Sequence, residues 1–118
     1  MSDIDPKVLA LAAHFSVNPE AISECRYGDN MYECESEPGE YLVVTDEEAD
    51  AAWDEYLDQY IDDCVLDQIP EGFRSYFDSE KWKRDAKIDG RGHSLSFYDG
   101  TEHGEKIDGV WYFIYRTN

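Results

Sequence analysis

"TDEEADAAWDEYLDQYIDDCVLDQ", residues 45–68, holds ten carboxylates and no Lys or Arg, yet its apolar residues keep the spacing of a packed helix. Thr45 followed by Glu48 forms a capping box, in which a hydroxyl and a carboxylate satisfy the orphan amides of a helix start. Ala49, Trp53, Tyr56, Leu57, Tyr60, Ile61 and Cys64 then recur at steps of three and four, making one apolar stripe. The pattern predicts a helix that starts behind Thr45 and runs to about residue 67, before Pro70 stops it. Opposite Trp53 and Tyr60 lie Glu47, Glu48, Asp54, Glu55, Asp58 and Asp62. Asp46, Asp50, Asp54, Asp58 and Asp62 also form successive like-charge pairs four residues apart, which together cost the helix about 1–2 kcal/mol. Asp46, Glu47 and Glu48 suit the positive end of the helix dipole, whereas Asp62, Asp63 and Asp67 sit at its disfavoured end. Local helix stability therefore does not account for the single sign of charge.

The acidic block extends beyond the helix. Arg26 and Arg74 bracket 47 residues that contain 16 carboxylates and no base. Within it, residues 31–44, "MYECESEPGEYLVV", read as a strand, a Pro38-Gly39 turn and a second strand. Glu33 and Glu35 alternate with Tyr32 and Cys34, which predicts one wet and one buried face; Glu37 leads into the turn. Upstream, Pro6 opens a helix over residues 6–15, and Asn18 with Pro19 predicts a second short helix over about 19–25. That second helix carries Glu20 and Glu24, so the pair is a helical hairpin packing on a sheet and not a groove-reading motif. Downstream, a helical turn spans 73–77, and a helix capped by Ser79 ends by Gly90. "GRGHSLSFYDGTEHGEK" reads as a glycine-punctuated loop, Asp108-Gly109 as a hairpin turn, and Val110 to Arg116 as a strand. These elements predict an α+β fold in one domain, residues 1–118: a small antiparallel sheet, made of the N-terminal hairpin and a C-terminal strand, packs against the long acidic helix and shorter helices.

The chain has 118 residues and a net charge of −18, from 10 Lys and Arg against 28 Asp and Glu. Its 42% hydrophobic content, with 9 Tyr, 5 Phe and 3 Trp, supplies the burial that disordered acidic chains lack. Charge of this sign excludes direct binding to nucleic acid and favours a basic protein partner. "MSDIDPKVLALAAHF" is acidic ahead of its apolar run, the reverse of a secretory signal, and no run is long enough to span a membrane; the cytosol is the expected compartment. Cys25, Cys34 and Cys64 form no CxxC pair and read as reduced thiols, with no metal-ligand or cofactor spacing.

Half of the bases, Lys81, Lys83, Arg84, Lys87 and Arg91, fall together, and pairing them with part of the acidic block would clamp the Ser79 helix to the fold. The stretch "GRGHSLSFYDGTEH" offers a different reading. Arg91 could hold an anion while His93 acts as a base oriented by Asp99, or His93, Asp99 and His103 could hold a metal. The spacings match no known metal or phosphate-loop motif, and such loops more often satisfy their own amides.

Carboxylates on neighbouring helical turns lie about 5–6 Å apart, within the range of phosphate spacing along a nucleic-acid strand. The sequence thus predicts an acidic surface that enters a basic groove in place of DNA or RNA, formed by Glu47, Glu48, Asp50, Asp54, Glu55, Asp58, Asp62 and Asp63 with Glu33, Glu35 and Glu37 of the hairpin. On this reading, neutralising Asp54, Glu55, Asp58 and Asp62 removes binding. A solvated acidic face without a partner and a salt-adapted surface are the plainer alternatives.

At "EYLVVTDEEAD", "GRGHSLSFYDG" and "YFIYRTN" the chain resembles small acidic proteins encoded by bacteriophages and prophages. The resemblance implies a host-cytoplasmic setting. Anti-defence proteins of such elements, of the antirestriction and anti-CRISPR types, are similar in size and composition and imply a non-enzymatic inhibitor.

Overall fold

The computed structural model describes residues 4–26 and 28–118, so the first three residues of the acidic N-terminal segment lie outside it. Helix α1 (Pro6–Phe15) starts on an Asp5 cap whose side chain accepts the Lys7 amide at 2.9 Å. It ends at Ser16, which adopts the left-handed conformation. Asn18 caps only a single 3₁₀ turn, Pro19–Ala21, and the chain then enters a strand, β1 (Ile22–Glu24). The expected helix over 19–25 is thus corrected. Three residues suffice for β1 because its backbone is paired along β2, with Ile22 opposite Cys34 and Glu24 opposite Tyr32.

Strands β2 (Met31–Cys34) and β3 (Tyr41–Thr45) form the expected hairpin. Strand β5 (Val110–Arg116) lies against the whole length of β3, from Tyr41 opposite Arg116 to Thr45 opposite Tyr112. Strand β4 (His103–Ile107) pairs with β5 across the Asp108-Gly109 turn, where both residues have positive φ. The result is a five-stranded antiparallel sheet in the order β1-β2-β3-β5-β4. The fold is α+β, as predicted, with two edge strands added to the three expected.

The sheet divides two cores by the two-residue alternation of its side chains. On one face Tyr32, Cys34, Tyr41, Val43, Tyr112 and Ile114 pack under Ala10, Leu11 and Ala12 of α1. On the other, Leu42, Val44, Phe113 and Tyr115 meet Ala49, Ala52, Trp53 and Tyr56 of helix α2 (Asp46–Tyr60) and Leu95 of the short helix α4 (Arg91–Leu95). The capping box of α2 is present: the Thr45 amide donates to Glu48 Oε1 at 2.9 Å and the Glu48 amide to the Thr45 hydroxyl at 3.3 Å.

Past Tyr60 the helix widens into a π turn, Ile61–Val65, and then tightens to a 3₁₀ turn, Leu66–Gln68. The wide turn breaks the register of the apolar stripe. Ile61 stays buried, but Cys64, the last member of the expected stripe, faces solvent. Residues 61–77 contribute only Ile61 to the buried set, so they lengthen the body without thickening its core. Helix α3 (Ser79–Ala86) begins one residue earlier than the sequence implied, on Asp78, whose carboxylate accepts the Lys81 amide at 3.1 Å. The molecule measures 59 × 27 × 22 Å. Its radius of gyration of 16.9 Å exceeds the roughly 13–14 Å of a compact chain of this length.

Candidate functional site

The long helix carries its carboxylates in two sets. One is the row Asp46, Asp50, Asp54 and Asp58, spaced by four residues, and a row of cations with the same spacing runs beside it: Lys83, Lys87 and Arg91. The rows pair in antiparallel order. Arg91 Nη1 donates to Asp46 Oδ1 at 2.8 Å and to Asp50 Oδ1 at 2.9 Å. Lys87 Nζ meets Asp54 Oδ1 at 2.7 Å, and Lys83 Nζ lies 3.0 Å from Asp58 Oδ1 and 3.9 Å from Asp54 Oδ1. Each aspartate of the row, exposed though it is, therefore has a cation beside it to offset its like-charged neighbours. The like-charge pairs from 46 to 58 are compensated by tertiary contacts, and the predicted clamp of the Ser79 helix is these ion pairs.

Arg91 is the most heavily engaged of the cations. Its Nε donates to Glu102 Oε1 at 2.9 Å, its guanidinium lies 4.8 Å from the Phe113 ring centre, and only 12% of its side chain is exposed. Tyr115 donates its hydroxyl to the same Glu102 oxygen. Burial opposes the charge of Arg91, but hydrogen bonds to Asp46 and Glu102 outweigh it and raise its pKa. At the helix start Lys7 plays a similar part, with Nζ 2.9 Å from Glu48 Oε1 and 2.6 Å from Asn30 Oδ1. Glu48 has a lowered pKa, first through the Thr45 amide and then through Lys7.

The second set is unpaired. Glu47, Glu55, Asp62 and Asp63 are exposed, and among the described residues no cation lies within ion-pair distance of them. The same holds for Glu33, Glu35 and Glu37 of the hairpin, all exposed. Since Tyr32 and Cys34 face α1, Glu33 projects from the opposite face of the sheet, the one that carries α2. The structure thus splits the eleven expected binding residues: Glu48, Asp50, Asp54 and Asp58 work inside the fold, and seven remain available.

The polar stretch from Gly90 to His103 does not converge on one point. Arg91 is committed to carboxylates. His93 lines a cleft of about 360 Å³ between α2 and α3, together with Tyr56, Tyr60, Trp82 and Asp89. Asp99 and His103 line a different hollow, with His14, Tyr41 and Arg116, on the α1 face. Asp99 is a staple of its own loop: Oδ1 lies 2.6 Å from the Ser96 hydroxyl and accepts from Thr101 Oγ1 at 2.8 Å and from the Thr101 amide at 3.1 Å. The Ser96 hydrogen bond leads the causes that lower its pKa. His103 meets Thr101 Oγ1 at 3.2 Å and packs 4.7 Å from the ring of His14. Burial first, and then the neighbouring His103, lower the pKa of His14. Asp99 is not hydrogen-bonded to His93, so the base-and-orienter pair expected from spacing is not assembled. No group of three or more His, Cys, Asp or Glu among the described residues is placed to hold a metal ion.

No helix among the described residues is long and apolar enough to cross a membrane. No protein-family profile, curated protein or solved structure matches this chain.

Proposed function

We propose that the protein is an acidic nucleic-acid mimic, encoded by a phage or prophage, that occupies the basic groove of a host defence complex or other host nucleic-acid-binding protein in the host cytoplasm. It acts by binding and catalyses no reaction. The observation that carries this reading is the carboxylate set left over once the internal ion pairs are made: Glu47, Glu55, Asp62 and Asp63 on α2 and its extension, with Glu33, Glu35 and Glu37 on the hairpin. A chain that needed acid only for its own ion pairs would not carry the second set.

The linear density of charge supports the same reading. A net charge of −18 over a body 59 Å long is about one negative charge per 3.3 Å, close to the roughly 3.4 Å per charge of one DNA strand. The narrow cross-section, 27 by 22 Å, lets that charge enter a groove instead of spreading over a sphere.

The test is competition. The protein should displace DNA or RNA from its target, with affinity falling steeply as salt rises. Changing Glu47 and Glu55 to Gln and Asp62 and Asp63 to Asn should weaken binding at least about tenfold while thermal stability holds. Asp54→Asn with Asp58→Asn should instead lower stability, since those residues hold α3. Full displacement of nucleic acid by the fourfold variant at unchanged concentration would sink the proposal.

A further inference from the structure

The cleft between α2 and α3 has walls that no internal ion pair uses. Helix α3 and the turn after it, Lys87–Asp89, present two faces: Lys83 and Lys87 point to the aspartate row, whereas Trp82, Ala86 and Asp89 line the cleft. Tyr56, Leu57 and Tyr60 of α2 form the facing wall. Tyr60 stacks on Trp82 with ring centres 5.6 Å apart and planes 19° from parallel, and Tyr56 lies 6.3 Å from Tyr60. This is a continuous aromatic surface, with Tyr60 43% exposed.

Elsewhere the fold sets cations on such surfaces. Lys87 lies 5.3 Å from the Trp53 ring centre, Arg91 4.8 Å from Phe113, and Arg116 3.6 Å from Tyr98. The Tyr56, Tyr60 and Trp82 rings have no such cation among the described residues. Asp89, at the same cleft, has no ion-pair partner among the described residues either. The surroundings therefore attract a cation electrostatically, the ring faces favour a planar one, and a carboxylate is at hand to accept its hydrogen bonds.

We propose that this cleft is a recognition subsite for an arginine side chain of the basic partner. Its volume of about 360 Å³ lies in the range of pockets that take small ligands, with room for a guanidinium and its methylene stem. Arginine is preferred to lysine because its flat guanidinium stacks on an aromatic face and still donates in its own plane to Asp89. The source of the arginine rests on the mimicry reading; the cleft chemistry does not.

The experiment uses the full chain, isotope-labelled, and a blocked Gly-Arg-Gly peptide at about 150 mM salt, where long-range attraction is screened. The three tryptophan indole N–H signals report separately. The Trp82 signal should shift and saturate while that of Trp111 stays in place; the Trp53 indole N–H donates to Ser94 on the cleft wall at 3.0 Å and should shift less than Trp82. The citrulline analogue, equal in shape and uncharged, and the lysine analogue should each bind more weakly, and Asp89→Asn or Tyr60→Leu should reduce the arginine affinity about threefold to fivefold. Equal binding of citrulline, equal shifts of all three indoles, or unchanged affinity in both folded variants would each overturn the assignment. The variant neutralised at Glu47, Glu55, Asp62 and Asp63 should keep the Trp82 response. Mimicry and the subsite can therefore fail independently.

Discussion

Arg91 shows how one side chain decides what its neighbours are free to do. Its fork reaches Asp46 and Asp50 through Nη1 and Glu102 through Nε, and its flat face covers Phe113. A lysine at this position would keep the charge but lose the two-directional donation and the stacking, so Arg91→Lys is not a conservative change. Arg91→Ala should destabilise the protein by about 1–2 kcal/mol, because Glu102 and the Phe113 ring lose a partner that is itself mostly shielded, whereas Asp46 and Asp50 are largely exposed and add little. Arg91→Lys should recover only part of that. Urea unfolding with an unchanged denaturant slope is the measurement, and an Arg91→Ala midpoint equal to that of the parent would contradict this assignment. Gly92, the next residue, is equally constrained for a steric reason: a Cβ there would stand 2.9 Å from the Glu102 amide nitrogen and 2.9 Å from the Thr101 carbonyl carbon. Those are backbone atoms, and they cannot turn aside as a flexible side chain could. The helix α4 thus lies as close to the 100–102 loop as it does only because residue 92 has no side chain.

The ion-pair ladder works at the scale of the element. It joins α3 to α2 through contacts that are partly exposed, so each pair contributes modestly and the set contributes by acting together. Lys83→Met combined with Lys87→Met should leave the sheet intact and loosen α3, seen as amide exchange several-fold faster over residues 79–89 and unchanged in β3 and β5. Uniform acceleration throughout the chain would show that the ladder does not act locally. Its pH window follows from the direction of the shifts. Asp54 is held below its ordinary 3.8, first by the Lys87 hydrogen bond, so its contribution is complete above that value and fades as pH falls through the folded-state pKa. Lys83 is held above its ordinary 10.5, first by the hydrogen bond to Asp58, so its contribution is complete below that value and fades as pH rises past it. The stability difference between the parent and the double Met variant should therefore be flat between about pH 5 and 10 and shrink on both sides. Elements with their own signal were legible in the sequence: α2 declared itself by the Thr45 and Glu48 box and an apolar stripe, and β5 by the run from Val110 to Arg116. Strands β1 and β4 were not, because "ISE" and "HGEKI" carry little alternation and are held at the sheet edges by the backbones of β2 and β5. The wide turn at Ile61–Val65 left no mark either, and it is what moved Cys64 out of the stripe.

For the whole molecule, the sign of the charge was legible and its division was not. The sequence shows cations at 83, 87 and 91 and aspartates at 46, 50, 54 and 58, and it also predicts that the basic cluster pairs within the chain. Which carboxylates then remain free depends on how α3 lies against α2, a tertiary fact that composition does not contain. That division gives salt two opposite effects. With a net charge of −18, self-repulsion acts over the entire 59 Å body, while only a few ion pairs lose strength on screening. Raising salt from about 20 to 300 mM should therefore increase the thermal midpoint of the free protein by several degrees. The complex with a basic partner should respond in the reverse sense, because its attraction is between the unpaired carboxylates and cations across an interface. A stabler protein that binds less tightly at higher salt is the signature of acid kept for a partner. An acidic surface that served only solubility would show the first effect without the second, and a falling midpoint would mean that the internal ladder outweighs the repulsion it was set against.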